Sequence, residues 1–369
     1  MSVRDIDCRE DLWDRLVKTS KPILLYGMGN GADKILTVCE MRGIRIADTF
    51  ASDGFVRGHS FHGKTVLSYT AAKKQYGDFI VLLSFASSLP DVLENIRRIG
   101  REQELYAPDV PVFGDTLFDR TFFLGHRREL EETETILADA LSRKTLENTI
   151  RYKLTGDISY LDACECAEEE TFSLLKTNTI RHYADLGAYN GDTIRKILPV
   201  APNLNVVTAL EPDRRNFRKL TEYAASVSDK LTVRAYNLGA WSEKTQLFFD
   251  ASGNRNANLC SHPTGKTSIV ETDTLDHILQ NQSVDFIKYD VEGAETEALA
   301  GSRMTIVRHR PRLLVSLYHR SEDLFTLPQL VRNMNPSYFF YLRKLRYVPA
   351  WDLNLYAIPN TKEARHVSL

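Results

Sequence analysis

The sequence feature that most constrains the fold is an alternation of strand-like and helix-like segments, which occurs twice along the chain. Short apolar runs of strand length are separated by longer amphipathic runs of helix length. Such alternation predicts parallel strands joined by helical crossovers, with helices covering both faces of the sheet. In the first series the strand-like runs are "KPILLYG", "IRIADTFAS" and "DFIVLLSFAS". The second series starts near residue 181, so we expect an α/β protein with two Rossmann-like sheets.

The second series ends differently from the first. It contains seven strand-like runs, and segments long enough for crossovers separate the first five of them. The last two runs, "YFFYLRKL" and "LNLYAIP", follow one another without a crossover and so predict an antiparallel pair. This arrangement is typical of a class I methyltransferase sheet with a reversed seventh strand, whereas a dehydrogenase sheet normally lacks the closing hairpin.

The chain length of 369 residues accommodates two domains. Between the two series lies a charged stretch with a helical apolar stripe. We therefore expect a small Rossmann-like α/β domain at 1–125, a helical connector at 126–180 and a class I methyltransferase domain at 181–369. Within the first domain, the segment "VPVFGDTLFD" is expected to form a further strand and turn.

The composition excludes several partner classes. The net charge of −2 gives no general electrostatic attraction to nucleic acid or to an acidic membrane. The five cysteines are scattered and lack the paired spacing of a zinc site. The N-terminus has no apolar signal core, and no segment approaches 18 uninterrupted apolar residues, so we expect a cytoplasmic protein. A homo-oligomer is left open.

A glycine loop follows the first strand of the second series, in "HYADLGAYNGDTI". Asp185 precedes Gly187 by two residues, and Gly191 follows with the spacing Gly-x-x-x-Gly. A dinucleotide loop would read Gly-x-Gly-x-x-Gly and would bind a pyrophosphate at a helix N-terminus. The spacing here favours a ligand without phosphate, such as S-adenosylmethionine, with the glycines allowing a bulky ligand to pass close to the backbone.

The carboxyl ends of the neighbouring strands supply polar groups that suit this ligand. Asp185 can bind the amino-acid end and Glu211 the ribose hydroxyls, while the end of the third strand, at Asn237–Trp241, can line the adenine. An acid at the position of Glu211 also occurs in NAD enzymes, so it does not discriminate alone. The predicted cofactor-binding residues are Asp185, Gly187, Tyr189, Asn190, Gly191, Glu211, Asn237, Gly239, Ala240 and Asp290.

The fourth strand ends in "IKYDVEGAE", which directs Asp290 and Glu292 to the same crevice. His319 ends the fifth strand, which should neighbour the fourth. We expect His319 or Glu292 to act as a general base and Asp290 to act as a positioning group, and the sequence does not choose between the two bases. Nothing completes an oxygen-rich octahedral ligand set, so no metal is expected.

At these residues the chain resembles the FkbM family of S-adenosylmethionine-dependent methyltransferases. The segments that carry the resemblance span about residues 180 to 358 in the family's order, and "IKYDVEGAE" with its downstream "LAG" is the most specific of them. The resemblance implies methyl transfer to a hydroxyl oxygen of a sugar, polyketide or related metabolite. It indicates the methyl donor better than the acceptor.

A second glycine loop, "YGMGNGADKI", follows the first strand of the chain and opens a helix. That context is correct for a dinucleotide, and we expect Gly27, Gly29, Asn30 and Asp53 to form a nucleotide site. The following segment "FASDGFVRGHSFHGKTVLS" resembles the nucleotide-binding segment of bacterial sugar-modifying proteins. The first domain could therefore bind a nucleotide-linked sugar, a dinucleotide or nothing.

Three hypotheses follow. The leading one is an S-adenosylmethionine-dependent O-methyltransferase whose acceptor is a small molecule or a nucleotide-linked sugar held in part by the first domain. The second is an NAD-dependent sugar-modifying oxidoreductase or epimerase that uses the first glycine loop. The third is a non-catalytic binding protein with a degenerate methyltransferase fold, which the acids at Asp185, Glu211 and Asp290 oppose.

Overall fold

A computed structural model of the chain describes residues 2–56, 58–250, 259–260 and 267–360. It contains two parallel-stranded sheets, one in each half of the chain, as the alternation predicts. In the part of the chain that the model describes, no helix combines the length and the apolar character needed to cross a membrane.

The first sheet has five parallel strands in the spatial order β3-β2-β1-β4-β5. The strands are β1 (Ile23–Tyr26), β2 (Ile46–Ala51), β3 (Leu67–Ser68), β4 (Ile80–Leu83) and β5 (Glu104–Tyr106). The helices of this half are α1 (Leu12–Lys18), α2 (Asn30–Met41), α3 (Tyr69–Tyr76) and α4 (Pro90–Glu102). The strand order reverses between β1 and β4, which is where open α/β sheets bind ligands.

The expected strand in "VPVFGDTLFD" is wrong. The fifth strand is instead Glu104–Tyr106, and residues 107–119 run as irregular chain. Pro108 and Pro111 lack the backbone N–H that a sheet ladder needs, which opposes a strand there. This irregular segment lies against the second domain.

Five helices lie between the two sheets in the chain. They are α5 (Arg120–Gly125), α6 (Arg127–Ile136), α7 (Ala140–Thr155), α8 (Ser159–Asp162) and α9 (Glu168–Leu175). Helix α7 contacts both cores: Leu146 and Ile150 pack in the core of the second domain, and Tyr152 packs in the core of the first. Lys153 on the same helix forms a buried ion pair with Asp109, at 2.8 Å. Helix α7 therefore joins the two halves.

The second sheet has seven strands in the order β8-β7-β6-β9-β10-β12-β11. The penultimate strand in this order, β12, is antiparallel to both of its neighbours, so the predicted reversed seventh strand is confirmed. The strands are β6 (His182–Leu186), β7 (Val206–Leu210), β8 (Thr232–Tyr236), β9 (Phe286–Tyr289), β10 (Arg312–Ser316), β11 (Tyr338–Lys344) and β12 (Leu353–Pro359). The helices are α10 (Asp192–Ile197), α11 (Arg214–Ser226), α12 (Leu275–Leu279), α13 (Glu295–Ala300), α14 (Arg303–His309) and α15 (Asp323–Met334).

Smaller elements complete the fold. A separate four-stranded sheet lies beside the second domain and consists of Gly239–Ala240, Thr245–Asp250, Leu259–Cys260 and Thr267–Asp273. A short hairpin pairs Ser60–Phe61 with Lys64–Thr65. Single 3-10 turns occur at Val3–Asp5, Asp53–Phe55, Thr177–Thr179 and Leu198–Val200.

The two domains also meet through the loop between β11 and β12. The backbones of Val348 and Ser87 exchange two hydrogen bonds, of 2.8 and 3.0 Å. Val348 and Ala350 both belong to the core of the first domain, although their loop belongs to the second. This contact places the loop next to the carboxyl end of β4 (Ile80–Leu83), beside the switch point of the first sheet.

Candidate active site

A buried chain of charges links two central strands of the second sheet. Asp185 on β6 is paired in register with Lys288 on β9, and Lys288 Nζ lies 3.5 Å from Asp185 Oδ1 and 3.3 Å from Asp290 Oδ2. Asp185 is wholly buried, and among the described residues neither of its carboxylate oxygens has a hydrogen-bond partner. Burial raises the pKa of Asp185 to about 6, although Lys288 opposes the shift. Asp185 therefore faces the ammonium of Lys288, and its carboxylate oxygens keep lone pairs that no hydrogen bond uses.

The predicted glycine loop is present, but its glycines are required by neighbouring protein atoms. A Cβ on Gly187, whose φ is +81°, would lie 1.9 Å from the carbonyl oxygen of Asp290. A Cβ on Gly191, whose φ is +82°, would lie 2.7 Å from the ring of Tyr223. Tyr189 also has a positive φ, of 47°, and its side chain is 43% exposed. The glycines thus bring the loop close to the neighbouring strand end and helix.

Arg195 and Glu211 hold this loop. Asn190 accepts hydrogen bonds from Arg195 through its carbonyl and its side-chain oxygen, at 2.8 and 3.1 Å. Glu211, just past β7, accepts the backbone N–H of Tyr189 on one carboxylate oxygen and that of Asp213 on the other, both at 2.8 Å. Burial raises the pKa of Glu211 to about 8, and these two hydrogen bonds oppose the shift. Each oxygen retains a lone pair for a ligand hydroxyl.

Asn237, at the end of the third strand, forms hydrogen bonds within the protein. Asn237 donates its side-chain amide to the carbonyl oxygens of Glu211 and Pro212, at 2.8 and 2.9 Å, so it supports the loop that carries Glu211. Gly239 and Ala240 are buried and pair with Thr272 and Asp273 in the small sheet. That these residues line an adenine stays a prediction.

The three predicted catalytic residues lie together. His319 follows β10 and is wholly buried, and its Nε2 lies 3.6 Å from Asp290 Oδ1 and 3.5 Å from Glu292 Oε2. Tyr318 donates its hydroxyl hydrogen to Asp290 Oδ1 at 2.8 Å. Glu292 adopts a φ of +54°, which is rare for a residue with a side chain. The polar cluster consists of Asp290, Glu292, Glu295, Tyr318 and His319. The cluster adjoins the glycine loop, because the carbonyl oxygen of Asp290 lies against Gly187.

The charges in this cluster distinguish the two candidate bases. Burial lowers the pKa of His319, but the nearby carboxylates of Glu295, Glu292 and Asp290 outweigh it and raise the pKa to about 10. Burial raises the pKa of Glu292 to about 7, against the opposing charge of His319. At neutral pH the imidazole of His319 is therefore a cation without a free lone pair, whereas Glu292 can accept a proton. The pKa values of the two groups therefore favour Glu292 as the base over His319.

Asp290 stays an anion in this environment. Burial alone would raise its pKa, but Lys288, His319 and the Tyr318 hydroxyl outweigh burial and hold the pKa at about 2. A carboxylate that is ionised throughout the neutral range suits the positioning role that we predict for Asp290, because it cannot compete with Glu292 for the proton.

Two residues of this cluster were missed by the sequence analysis. Glu295 is 1% exposed, and its Oε1 lies 2.9 Å from Nδ1 of His319. Tyr318 precedes His319 and holds Asp290. Helical periodicity gives no signal for Glu295, because α13 starts at Glu295 and Glu292 lies before it with a φ of +54°.

The first glycine loop is built in part as predicted. Gly27 has a φ of +111°, and a Cβ there would lie 2.6 Å from the ring of Phe85. Gly29 has a φ of +94° with open space around it, and α2 starts beyond it without a side-chain cap. The two carboxylate oxygens of Asp53 accept hydrogen bonds from the N–H and hydroxyl of Thr70, both at 2.9 Å. That Asp53 takes part in a nucleotide site stays a prediction.

A cavity of about 220 Å³ lies at the switch point of the first sheet. Asn30 and Lys34 of α2 line it, and so does Trp351 of the second domain. Lys34 donates to the carbonyl oxygens of Pro111 and Val112, at 2.7 and 2.6 Å, and among the described residues no carboxylate lies within 4.0 Å of it. The cavity therefore lies between the first glycine loop and the β11–β12 loop of the second domain, and the 187–191 loop does not line it.

Aromatic rings connect the cavity to the polar cluster. The ring of Trp351 stacks on that of Tyr318, with centroids 6.4 Å apart and an interplanar angle of 25°. Tyr318 in turn holds Asp290. Among the described residues, no group of three or more His, Cys, Asp or Glu side chains is arranged to hold a metal ion.

Comparisons with known proteins agree with this architecture. Residues 185–348 match the family model of the methyltransferase FkbM domain. The solved structure of the methyltransferase FkbM from Methylobacillus flagellatus KT superposes with a TM-score of 0.68 at 20% sequence identity, and the match covers 92% of this chain and 90% of that one. No curated protein matches the sequence.

Two further solved structures are similar only in part. An rRNA methylase from Streptococcus thermophilus has a TM-score of 0.35 at 11% identity, over 52% of this chain and 94% of that one. A putative methyltransferase from Streptococcus mutans, solved in complex with SAH, has a TM-score of 0.34 at 11% identity, over 52% of this chain and 97% of that one. The resemblance predicted from the sequence is confirmed for residues 185–348, which match the methyltransferase FkbM domain, and the chain shares its fold with the solved FkbM methyltransferase.

Proposed function

We propose that the protein is an S-adenosylmethionine-dependent O-methyltransferase that modifies a hydroxyl group of a sugar or related small molecule. The observation that carries the proposal is Glu292, a carboxylate with a pKa of about 7 that lies 3.5 Å from a buried cation, beside the glycine loop. A group of this kind can take the proton of an acceptor hydroxyl near neutral pH.

The residues around the loop fit the methyl donor. Asp185 offers two buried carboxylate oxygens without hydrogen-bond partners, which suit an ammonium group. Glu211 has lone pairs left for the two hydroxyls of a ribose, and its carboxylate is fixed by backbone N–H groups on either side. When bound there, S-adenosylmethionine would supply a methyl group on a sulfonium, which is already a good electrophile.

The chain's own residues then have three tasks. They orient an acceptor hydroxyl in line with the methyl group, because positioning supplies much of the rate acceleration in such a displacement. Glu292 accepts the hydroxyl proton while the new oxygen–carbon bond forms and the carbon–sulfur bond breaks. Asp290 remains an anion throughout and, held by Tyr318, keeps its place beside the reacting groups.

The interdomain cavity supports an acceptor that reaches into the first domain. Two carbonyl oxygens hold the ammonium group of Lys34, and among the described residues no carboxylate pairs with it. A Cβ on Gly29 would have no atom within 4 Å. These features suit a phosphate or another anionic part of the acceptor, as in a nucleotide-linked sugar. Trp351 supplies an apolar ring face on the path from the cavity to Asp290.

No observation favours the oxidoreductase hypothesis over this one. The acid that the sequence offers to a dinucleotide ribose, Asp53, already accepts two hydrogen bonds from Thr70. A degenerate, non-catalytic fold is also disfavoured, because Lys288 joins Asp185 of the glycine-loop site to Asp290 of the polar cluster, at 3.5 and 3.3 Å.

The proposal can be tested with methyl-labelled donor. The protein is incubated with S-adenosylmethionine and with a panel of free sugars, sugar phosphates and nucleotide-linked sugars, and S-adenosylhomocysteine is measured together with labelled product. We expect turnover with at least one hydroxylated acceptor and its loss in Glu292→Gln. Failure of the protein to bind the donor would contradict the proposal, and so would transfer only to nitrogen or carbon.

A further inference from the structure

The polar cluster contains a buried acid that the mechanism above does not use. Glu295 lies in the first turn of α13 and is 1% exposed, and His319 is completely buried. Their side chains approach to 2.9 Å between Glu295 Oε1 and His319 Nδ1. An acid and an imidazole removed from solvent at this distance form an ion pair that water does not weaken.

Glu295 also fixes the backbone that carries the reaction centre. The same oxygen, Oε1, accepts the backbone N–H of Val291 at 2.9 Å. Val291 lies between Asp290 and Glu292, so one carboxylate oxygen contacts both the histidine and the loop that holds the two reactive acids. The other oxygen, Oε2, is buried and has no hydrogen-bond partner among the described residues.

The opposite side of the imidazole faces the reaction centre. His319 Nε2 lies between Asp290 Oδ1 and Glu292 Oε2, at 3.6 and 3.5 Å. Glu295 lies on the Nδ1 side, so the ring has carboxylates on both sides. Neither ring nitrogen has a hydrogen-bond partner among the described residues, so these contacts stabilise the charged form of the imidazole as close opposite charges.

We propose that Glu295 is a positioning residue for methyl transfer, which holds His319 as a fixed cation and thereby keeps Asp290 and Glu292 together at the reaction centre. The role of Glu295 in methyl transfer rests on the proposed function. The charge of His319 does not depend on it. Without the cation, two carboxylates that face the same point would repel each other, and Glu292 would bind its proton more tightly.

The other charged groups around His319 are consistent with this role. Asp323 at the start of α15 is also buried, and its Oδ2 accepts the backbone N–H of Arg320. Burial and the nearby Glu295 carboxylate raise the pKa of Asp323 to about 8, so at neutral pH Asp323 is mostly neutral. The titratable groups that face His319 are Asp290, Glu292, Glu295 and Asp323.

The test compares Glu295→Gln with the wild type in two separate measurements. Gln has the same shape and keeps an oxygen for the N–H of Val291, but it removes the charge. The first measurement follows the His319 ring by NMR of ¹³C-labelled histidine across pH, with the signal assigned through His319→Gln. We expect the His319 pKa to fall by at least about one unit in Glu295→Gln. Donor affinity, measured by calorimetry, should stay unchanged.

The second measurement is the pH dependence of kcat. We expect kcat to fall at least about tenfold in Glu295→Gln, with a displaced pH profile, because the base is no longer held in place. Glu295→Asp should recover part of the rate. The matched control is Glu297→Gln, two residues further along α13 and partly exposed, which should leave both readouts unchanged.

Each outcome decides the proposal. An unchanged His319 titration in Glu295→Gln would overturn it. If Glu295→Gln fails to fold, the wild-type titration still decides, because a His319 that loses its proton near its ordinary pKa of about 6.5 is not held as a cation. A wild type without transferase activity would contradict the proposed function, while the NMR titration would still report whether Glu295 holds the histidine.

Discussion

Phe113 of the first domain donates its backbone N–H to the carbonyl oxygen of His319 in the second domain, at 2.8 Å. The guanidinium of Arg320 lies over the Phe113 ring, 4.0 Å from its centroid. A Cβ on Gly293 would lie 2.7 Å from Cγ of the same ring. The irregular segment of the first domain is thus packed onto the loop that carries Glu292 and onto the histidine beside it. The two domains build one site together.

Glu292→Gln should remove the proton acceptor and lower kcat by about 10²-fold or more. In the wild type, kcat should rise with pH through about 7, because Glu292 must lose its own proton before it can take one from the acceptor. In the variant this rise should disappear. The measurement is the pH–rate profile of both proteins with saturating donor, and Glu243→Gln, at an exposed position, is the control. A variant that keeps the wild-type profile would show that another group is the base.

The ligand-free protein should be more stable in mild acid than in mild alkali. The pKa values of Glu211 and Asp323 are raised to about 8 in the folded chain, and that of His319 to about 10. Between the unfolded and folded pKa values the folded state binds more protons, so the free energy of unfolding falls as pH rises. The melting temperature should be higher at about pH 6 than at about pH 8.5.

The variant Asp323→Asn isolates the contribution of Asp323 to this pH dependence of stability. In Asp323→Asn the side-chain oxygen can still accept the N–H of Arg320, but the titrating group is lost. The difference in melting temperature between the two pH values should therefore shrink. A melting temperature that rises with pH in the wild type would contradict the assigned protonation states.

Gly187→Ala should destabilise the fold and abolish donor binding. The new Cβ would meet the carbonyl oxygen of Asp290 at 1.9 Å, and alanine would have to adopt a φ of +81°. Strained backbone of this kind costs about 1–3 kcal/mol, and the clash adds to it. Thermal unfolding and donor titration are the measurements. Gly54→Ala, where nothing lies within 4 Å of the new Cβ, should behave like the wild type. Normal donor binding by Gly187→Ala would show that the loop can move away from Asp290.

Lys34→Gln should weaken acceptor binding without changing donor binding. If Lys34 faces an anionic part of the acceptor in the cavity, its loss should raise the acceptor KM by about tenfold. Lys64→Gln is a matched control, because Lys64 also donates to a backbone carbonyl, that of Ala47 at 3.1 Å, but does not line the cavity. An unchanged KM in Lys34→Gln would place the acceptor outside the cavity.

The sequence predicted the parts of the fold that depend on periodicity. The two strand–helix series, the connector and the closing hairpin of β11 and β12 all follow from local patterns. The segment after residue 106 was misassigned because apolar residues such as Val110 and Val112 resemble a strand, although Val110 packs on a core of the first domain without pairing in its sheet. The packing of Phe113 on His319 could not be predicted because it joins residues that are far apart in the sequence.

The candidate site was predictable where residues follow directly from a strand end. Asp185, Glu211 and Asp290 were identified in this way, and His319 with them. The preference between Glu292 and His319 depends on burial and on the charge of Glu295, which the sequence does not give. The position of Asp53 in the sequence fits a nucleotide acid, but the hydrogen bonds that it accepts from Thr70 arise from the fold and could not be predicted.

The measurement that tests the central claim most directly is a calorimetric titration of the purified protein with S-adenosylmethionine, repeated with Glu211→Ala. Glu222→Ala, an exposed glutamate on α11, is the control. We expect saturable binding to the wild type and to the control, and a loss of at least about tenfold in affinity in Glu211→Ala, because the hydrogen bonds to the ribose are lost. NAD binding without S-adenosylmethionine binding would contradict the methyltransferase account and would move the chemistry to the first glycine loop.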